Sequence, residues 1–463
     1  MNLCRLVPLV ALIVLVPLLR AQDDDDPKKK KAGTIPEGLK ALQHPDPKVR
    51  YRAADTLAQL GPLAKFAVPE LKEALKDKHP MVRVKVAEAL WKIDQTPAGT
   101  LMPVLLQALK EREPSARAAA PPVIALLGAK AKLAVPALVN ALADKEFSVK
   151  VAAVTALGDL GPVAKESAND LLDLTKDKEN FFLLEPFVGA ALANLGQGAL
   201  PALTKALTDS SFDRRRVAAY ALGSMGAAAA PAANELAIAM QSKDPGTRRA
   251  AASALGKIGP AAKSTLAQLE IALADKDPSV RIEAALATWF VSKDSRHITV
   301  LVKALSNESV GVRDYACQAI GVMKAGGKDA VDPVAKLLGD KDLRVRAIMT
   351  LGEIGPAAAK TTPQLKQLLK DKDGGAQLAA AFSLWQITGD AKETLAAMTQ
   401  TLSTEAYYTP TIVLLGDMGP AAEPMLQTLV NLYREEDVPA DRKALAEAIK
   451  KIDSKVAMKL GIK

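Results

Sequence analysis

A short motif recurs along almost the whole chain, and this recurrence constrains the fold more than any other feature. Each copy begins with Asp-Pro-x-Val-Arg, continues through small apolar residues to Ala-Leu-Gly-x-x-Gly-Pro, and returns through a shorter apolar segment to the next Asp. The motif is plainest at 46–50, 254–260 and 277–281. Tandem copies of a two-helix unit are the sequence signature of an α-solenoid.

The arginine of the motif, here called the marker, aligns the copies. The thirteen marker positions, set in later units by their Ala-Leu-Gly segments, are Arg50, Arg83, Arg117, Lys150, Glu185, Arg215, Arg248, Arg281, Arg313, Arg344, Gln377, Tyr408 and Arg442. The first and last are 442 − 50 = 392 residues apart across twelve intervals, so the mean period is about 33 residues. We therefore predict an all-α, right-handed solenoid of about thirteen two-helix repeats over residues 35–463, without a separate catalytic domain.

Local signals within one copy explain why two helices form. Asp46 is a good N-cap, and Pro47 suits the first helical position because its missing N–H costs nothing there. Gly61 ends the longer helix where a positive φ is needed, and Pro62 prevents its continuation. Aromatic residues are only 4% of a chain that is 49% hydrophobic, so Ala, Leu and Val supply the core, as suits closely packed helices.

The N-terminal segment differs from the repeats. Arg5 gives a positive start, Leu6–Leu19 is an uncharged apolar run of 14 residues, and Ala21 is a small residue suited to cleavage. The run is shorter than the roughly 20 residues that span a bilayer as a helix. We expect residues 1–21 to be a signal peptide, the protein to be secreted or periplasmic, and no stable membrane span to remain after cleavage.

Residues 22–34 contain four consecutive acids, 23–26, and four consecutive lysines, 28–31. Such blocks stay solvated, so we expect a disordered charged linker, with contact of the lysines to anionic lipid or cell wall as the alternative. Removing Arg5 and Arg20 with the signal lowers the net charge from +9 to 9 − 2 = +7. Cys4 leaves as well, so Cys317 alone remains and no intrachain disulfide can form.

The repeat resembles the HEAT-repeat superfamily, specifically the short HEAT-like repeats of phycobiliprotein lyases. The resemblance is carried by the motif start at Asp275–Arg281 and the helix end and turn at Ala251–Pro260, and it covers roughly 35–463. It implies an α-solenoid, but the repeat serves scaffolds, enzyme subunits and regulators alike. A lyase would attach a chromophore to a partner, which the predicted export opposes.

Departures from the repeat are the places where function is most readily sought, because the fold does not require them. Trp91, Trp289 and Trp385 all stand at the Gly of Ala-Leu-Gly, and the Gly-Pro turn is missing after each. We interpret the indoles as covering an altered turn, with ligand stacking as the alternative.

Basic and aromatic departures give the candidate partner-binding residues. Two runs of arginine, 214–216 and 248–249, occupy equivalent places in consecutive units. Arg215 and Arg248 are markers, and we expect them to tie neighbouring units together through Asp–Arg pairs. The extra arginines bind carboxylates or phosphates in one interpretation and form a solvated face in the other. Tyrosines on the longer helices suit an interface. The candidates are Arg214, Arg216, Arg249, Tyr220 and Tyr315.

Catalytic constellations are not evident in the sequence. The histidines are His44, His79 and His297 only, and the paired His-Glu dipeptides of deoxyhypusine hydroxylase, a HEAT-repeat iron enzyme, are missing. Cys317 stands at an Ala position of a packed helix, and no glycine-rich phosphate loop follows a strand. We expect no enzyme activity, metal or cofactor. The basic composition raises nucleic acid as a ligand, but dispersed charge and export oppose it.

The sequence therefore predicts an exported, non-catalytic scaffold that binds a protein partner, an anionic one included, or an extracellular polymer through an extended surface. The alternative is an accessory or regulatory subunit of an enzyme, including lyase-like chromophore or cofactor handling.

Overall fold

The computed structural model describes residues 39–179 and 181–462, which form helices and turns without a β-strand. The predicted signal peptide, 1–21, and charged linker, 22–34, lie outside these residues. The chain divides into two compact units between Val123 and Ile124. In both compact units, longer and shorter helices alternate along the chain.

Thirteen helix pairs follow one another in the part of the chain that is described. Their bounds are α1 (Pro47–Leu60) and α2 (Val68–Ala74); α3 (Pro80–Asp94) and α4 (Ala98–Ala108); α5 (Pro114–Leu126) and α6 (Val135–Ala141); α7 (Phe147–Leu160) and α8 (Ala168–Asp173); α9 (Phe181–Asn194) and α10 (Leu200–Ala206); α11 (Phe212–Ser224) and α12 (Ala233–Ala239); α13 (Pro245–Ile258) and α14 (Leu266–Ala272); α15 (Pro278–Ser292) and α16 (Ile298–Ala304); α17 (Val310–Val322) and α18 (Val331–Lys336); α19 (Arg344–Ile354) and α20 (Thr362–Leu368); α21 (Gly374–Thr388) and α22 (Lys392–Leu402); α23 (Glu405–Met418) and α24 (Leu426–Glu435); α25 (Pro439–Ile452) and α26 (Ser454–Lys459). The odd-numbered helices are the longer ones of each pair.

The predicted cap and turn signals act as expected in the regular units. The Asp277 carboxylate accepts hydrogen bonds from the backbone N–H groups of Ser279 and Val280 at 2.8 and 3.2 Å, which satisfies donors at the start of α15. Gly259 ends α13 with a φ of 72°, a conformation that glycine adopts without steric cost. A 3₁₀ segment, Gly259–Thr265, then leads into α14. The turn thus fixes the start of the shorter helix.

The glycine of Ala-Leu-Gly serves close packing between longer helices. A Cβ atom added to Gly256 would lie 2.9 Å from the Cα of Ala287 on α15, and one added to Gly158 would lie 2.8 Å from the Cα of Ala191 on α9. Real side chains do not tolerate such distances. These positions therefore allow α13 and α15, and likewise α7 and α9, to approach backbone to backbone.

The hydrophobic core lies between the longer and shorter helices of successive units and consists mainly of Leu, Ala, Ile and Val. Two core clusters meet at α21. Leu384 and Ile387 belong to the cluster that begins at α15, and Leu378 and Ala381 belong to the one that ends at α26. One helix thus contributes its two faces to different parts of the core.

One continuous helical stretch among the described residues, Phe147–Lys176, is long and apolar enough to cross a membrane by length and composition. It comprises α7, a 3₁₀ segment, α8 and a short 3₁₀ turn, and half of its most apolar window is buried inside the protein. Buried core helices of soluble proteins have the same composition. We therefore assign this stretch to the core.

Candidate binding surface on the longer helices

The marker arginines form the predicted ladder between units. Arg248 donates from Nη1 to the backbone carbonyls of Ser242 and Lys243, at 2.9 and 3.1 Å, and from Nε and Nη2 to the Asp275 carboxylate of the next loop, at 2.7 and 2.8 Å. The pair is almost buried, with 7% and 12% of the two side chains exposed. The same ion pair recurs at Arg50–Asp77, Arg83–Glu111, Lys150–Asp177, Arg313–Asp340 and Arg344–Asp371. Six of the thirteen marker residues therefore have this structural role.

Two carboxylates of this ladder, Asp77 and Asp275, are held in their charged form. Burial of Asp275 disfavours the charge, but the hydrogen bonds from Arg248 and from the backbone N–H of Asp277 outweigh burial and keep the pKa of this carboxyl below its ordinary value. Each such carboxylate therefore accepts hydrogen bonds both from the marker of the preceding repeat and from the backbone of its own loop.

Two of the extra arginines compensate for a defect in the ladder. Glu185 stands at a marker position, so it cannot bond the Asp209 carboxylate of the next loop. Arg214 approaches Asp209 at 3.4 Å instead and also pairs with Asp173. Arg216 approaches Glu185 itself at 3.7 Å. The sequence left open whether the extra arginines bind a ligand or form a solvated face, and the structure gives Arg214 and Arg216 carboxylate partners within the fold.

The other three candidate residues differ in their exposure to solvent and in their contacts within the fold. Arg249 is exposed on α13, and among the described residues no carboxylate lies within salt-bridge distance of it. Tyr220 on α11 is 43% exposed, and the Nζ of Lys257 lies 5.1 Å from its ring centroid. Tyr315 on α17 is half-buried against the core. Arg216 and Tyr220 share one face of α11, but Tyr315 lies two units beyond Arg249.

Three lysines near this face were not among the predicted site residues. Lys257, Lys293 and Lys324 lie at the C-terminal ends of α13, α15 and α17, and all are exposed. Lys293 places Nζ 5.3 Å from the Trp289 ring and 5.2 Å from the Phe290 ring. Lys324 stands where Gly259 stands in the regular unit, so aligning the copies would have revealed it.

The tryptophan units lack the 3₁₀ turn, as the missing Gly-Pro predicted. Helices α3, α15 and α21 run for 15 residues each, and no 3₁₀ segment separates them from the following shorter helix. A Cβ added to Gly326 would lie 2.7 Å from the Trp289 ring, so this indole covers the turn of the next unit and not its own. Trp385 packs against Phe382 with ring centroids 5.4 Å apart. Both rings are half-buried, which favours the structural interpretation.

The potential catalytic groups are dispersed or buried. Cys317 is fully buried, and burial together with the nearby Asp314 raises the pKa of its thiol to about 12, which suppresses the nucleophilic thiolate. Over residues 39–179 and 181–462, no three His, Cys, Asp or Glu side chains are placed to hold a metal ion. A small cavity beside Thr388 is lined by Lys366 and Glu393, which form an ion pair at 2.7 Å. The exposed face of the longer helices is the better candidate site.

Comparison with known proteins identifies the repeat. The family model for HEAT repeats matches residues 35–101, 102–185, 200–289, 266–346 and 298–385. The chain is a HEAT-repeat protein. No curated protein matches its sequence.

Solved structures share the architecture of this HEAT-repeat chain. Kap95p is 11% identical over 93% of the chain and 73% of its own length, with a TM-score of 0.50. An engineered protein is 21% identical over 77% of the chain and 99% of its own, with a TM-score of 0.31, and Kap121p bound to Pho4p is 14% identical over 92%, with a TM-score of 0.44. The chain spans about half of Kap121p, 54%. The predicted fold class, an all-α right-handed solenoid, is confirmed.

Proposed function

We propose that this protein is an exported, non-catalytic scaffold that binds a protein partner on the exposed face of α11, α13, α15 and α17. The observation that carries the proposal is that Tyr220 and Arg249 stay exposed on this face, although nearly every other arginine nearby is bonded within the fold. Tyrosine and arginine are enriched at protein interfaces, where they contribute much of the binding energy. A repeat array presents such residues in register over a long distance.

The family supports binding without defining the partner. Kap95p, which shares this fold, binds RanGDP and induces its switch loops to adopt the GTP-bound conformation. A shared fold does not transfer a function, so the proposal for this chain rests on its own surface residues. Export rests on the sequence of residues 1–21 alone. The accessory-subunit alternative, lyase-like chromophore or cofactor handling included, differs by requiring a partner with catalytic activity.

Site-specific crosslinking tests this proposal. A photo-crosslinking amino acid replaces Tyr220 in one variant and Ile271 in a matched control, since Ile271 is 76% exposed on the shorter helix α14. We expect the exported fraction of the source cells to give a crosslinked protein at Tyr220 only. The purified partner should then bind the Arg249→Glu variant about tenfold more weakly than the parent protein. Arg216 is unsuitable for charge reversal because it also pairs with Glu185.

Each outcome has a defined meaning. Equal crosslinking at both positions, or unchanged affinity of Arg249→Glu, would remove this face as the binding surface. Partners recovered only from the cytoplasm would contradict export. A captured partner that has catalytic activity, altered by binding, would favour the accessory subunit.

A further inference from the structure

Lys257, Lys293 and Lys324, here called the lysine row, occupy the C-terminal ends of three successive longer helices within the second compact unit. Helices α13 and α15 are in contact, as are α15 and α17. Packed helices are about 8–10 Å apart, so the helix ends that carry the three lysines follow one another at roughly that spacing. The row therefore presents positive charges from three successive longer helices, and its first member, Lys257, lies over Tyr220.

No carboxylate among the described residues pairs with the lysine row. Lys257 lies over Tyr220, and Lys293 lies over Trp289 and Phe290. A lysine above an aromatic ring keeps its charge available to a ligand while its stem covers apolar surface. By contrast, Lys92 and Lys451 on other longer helices pair with Glu88 and Asp417.

Backbone conformation singles out two members of the row. Lys293 has a φ of 61° and Lys324 a φ of 51°, and only one other non-glycine residue in the described part of the chain, Gln95, has a positive φ. Glycine occupies the position of Lys324 in the flanking units, at Gly259 and Gly355, and the position of Lys293 in the Trp385 unit, at Gly389. Favourable interaction with the helix dipole does not explain this choice, because a lysine in the last helical turn gains it without strain. Glycine would form the same turns with less strain, so the choice of lysine at both positions favours a role for the charged side chain.

The surrounding charges leave the row positive. Arg249 adds an exposed cation on α13. Glu283 is buried beside Lys257 and Arg249, and burial raises the pKa of its carboxyl, which weakens its opposing charge. Asp294 is paired with Arg296. Glu353 lies near Lys324 but forms no salt bridge with it.

We propose that Lys257, Lys293 and Lys324 bind an acidic, extended segment of the protein partner. The proposal rests on the scaffold function above and specifies the chemistry of its ligand. An extended chain advances about 3.3–3.6 Å per residue, so carboxylates at every third residue recur at roughly 10 Å, which matches the helix spacing. The ring of Tyr220 lies beside Lys257 and that of Phe290 beside Lys293, where they offer contacts to apolar residues of the same segment.

A designed peptide tests the proposal directly. The probe is a fluorescent peptide of about twelve residues with glutamate at every third position, long enough to reach all three lysines. Its control has glutamine at those positions. We expect the acidic peptide to bind the full chain more tightly than the control and to lose affinity as salt is raised, since exposed charges are screened. Equal binding of both peptides would overturn the proposal.

Matched triple variants locate the site. Lys257→Gln, Lys293→Gln and Lys324→Gln combined should lower the affinity for the acidic peptide about tenfold. The control combines Lys243→Gln, Lys276→Gln and Lys341→Gln, which removes the same charge from exposed loop positions before longer helices of the same unit. We expect the control to stay within about twofold of the parent protein. Equal losses in both triples would show attraction to net charge alone and contradict the row.

A second variant separates binding from folding. Lys293→Gly combined with Lys324→Gly restores the residue that tolerates a positive φ, so the melting temperature should stay the same or rise while peptide affinity falls. Unchanged affinity would overturn the proposal. An oligonucleotide that binds as tightly as the peptide, with the same loss in the triple variant, would also overturn it in favour of a general polyanion site. Crosslinking at Tyr220 to a partner segment without acids would reject the row and leave the scaffold function standing.

Discussion

Two neighbouring units, those that begin with α13 and α15, show how one repeat is built with and without its stabilising devices. The α13 unit has the ion pair between Arg248 and Asp275, the close approach at Gly256 and a glycine turn at Gly259. The α15 unit lacks all three. Its marker Arg281 donates to the backbone carbonyls of Asp275 and Lys276, and no carboxylate among the described residues lies within salt-bridge distance of it.

The α15 unit is therefore where this protein departs from uniform packing. Trp289 replaces the glycine that would let the next longer helix approach, and its ring instead packs on the turn of that next unit at Gly326. The same unit carries the left-handed Lys293. Loss of regular packing and the presence of half-buried aromatic rings beside an exposed lysine thus coincide in one unit, which lies within the proposed binding face.

Removal of a marker arginine should give the largest difference between the two units. Arg248→Met leaves the nearly buried Asp275 carboxylate without its main partner and should lower the local opening free energy of α13 and α15 by about 3 kcal/mol. Arg281→Met removes only hydrogen bonds to backbone carbonyls and should cost about 1 kcal/mol. Native-state hydrogen exchange measures both, since repeat arrays open locally. Similar losses in the two variants would refute the ladder as a stabilising device.

A side chain at the close-approach glycine should have a somewhat smaller effect. Gly256→Leu forces new atoms against the backbone of Ala287, and we expect a loss of about 2 kcal/mol from separation of α13 and α15. Trp289→Leu at the equivalent position in the next unit replaces a half-buried ring with a smaller apolar side chain, so its cost should be about 1 kcal/mol. The same exchange measurement on α15 and α17 compares them. A larger loss for Trp289→Leu would reverse the assignment of the tight and loose contacts.

The sequence was sufficient for the features that depend on local chemistry. Asp277, Gly259 and the missing turn after Trp289 were predicted because caps and turns are decided by a few neighbouring residues. The role of Arg214 was not predicted, because it depends on which carboxylate the Glu185 marker leaves without a partner and on distances across units. The left-handed φ of Lys293 was likewise not predicted, because it depends on the path of the backbone after α15.

The smallest expected difference between the two units is in the pH dependence of their stability. The pKa of Asp275 is lowered in the folded protein, so the stability contributed by its charge is present above its ordinary value of 3.8 and is lost as pH falls through the lower folded value. The Asp275→Asn variant should therefore show a weaker acid dependence of exchange in α13 and α15 than the parent protein. Glu308→Gln is the matched control, because exposed Glu308 follows Arg281 by the same 27 residues without pairing with it. The exchange of this control should depend on pH as that of the parent protein does. An equal change in both variants would mean that acid acts on general surface charge. The Arg248–Asp275 ion pair would then contribute nothing to the difference between the units.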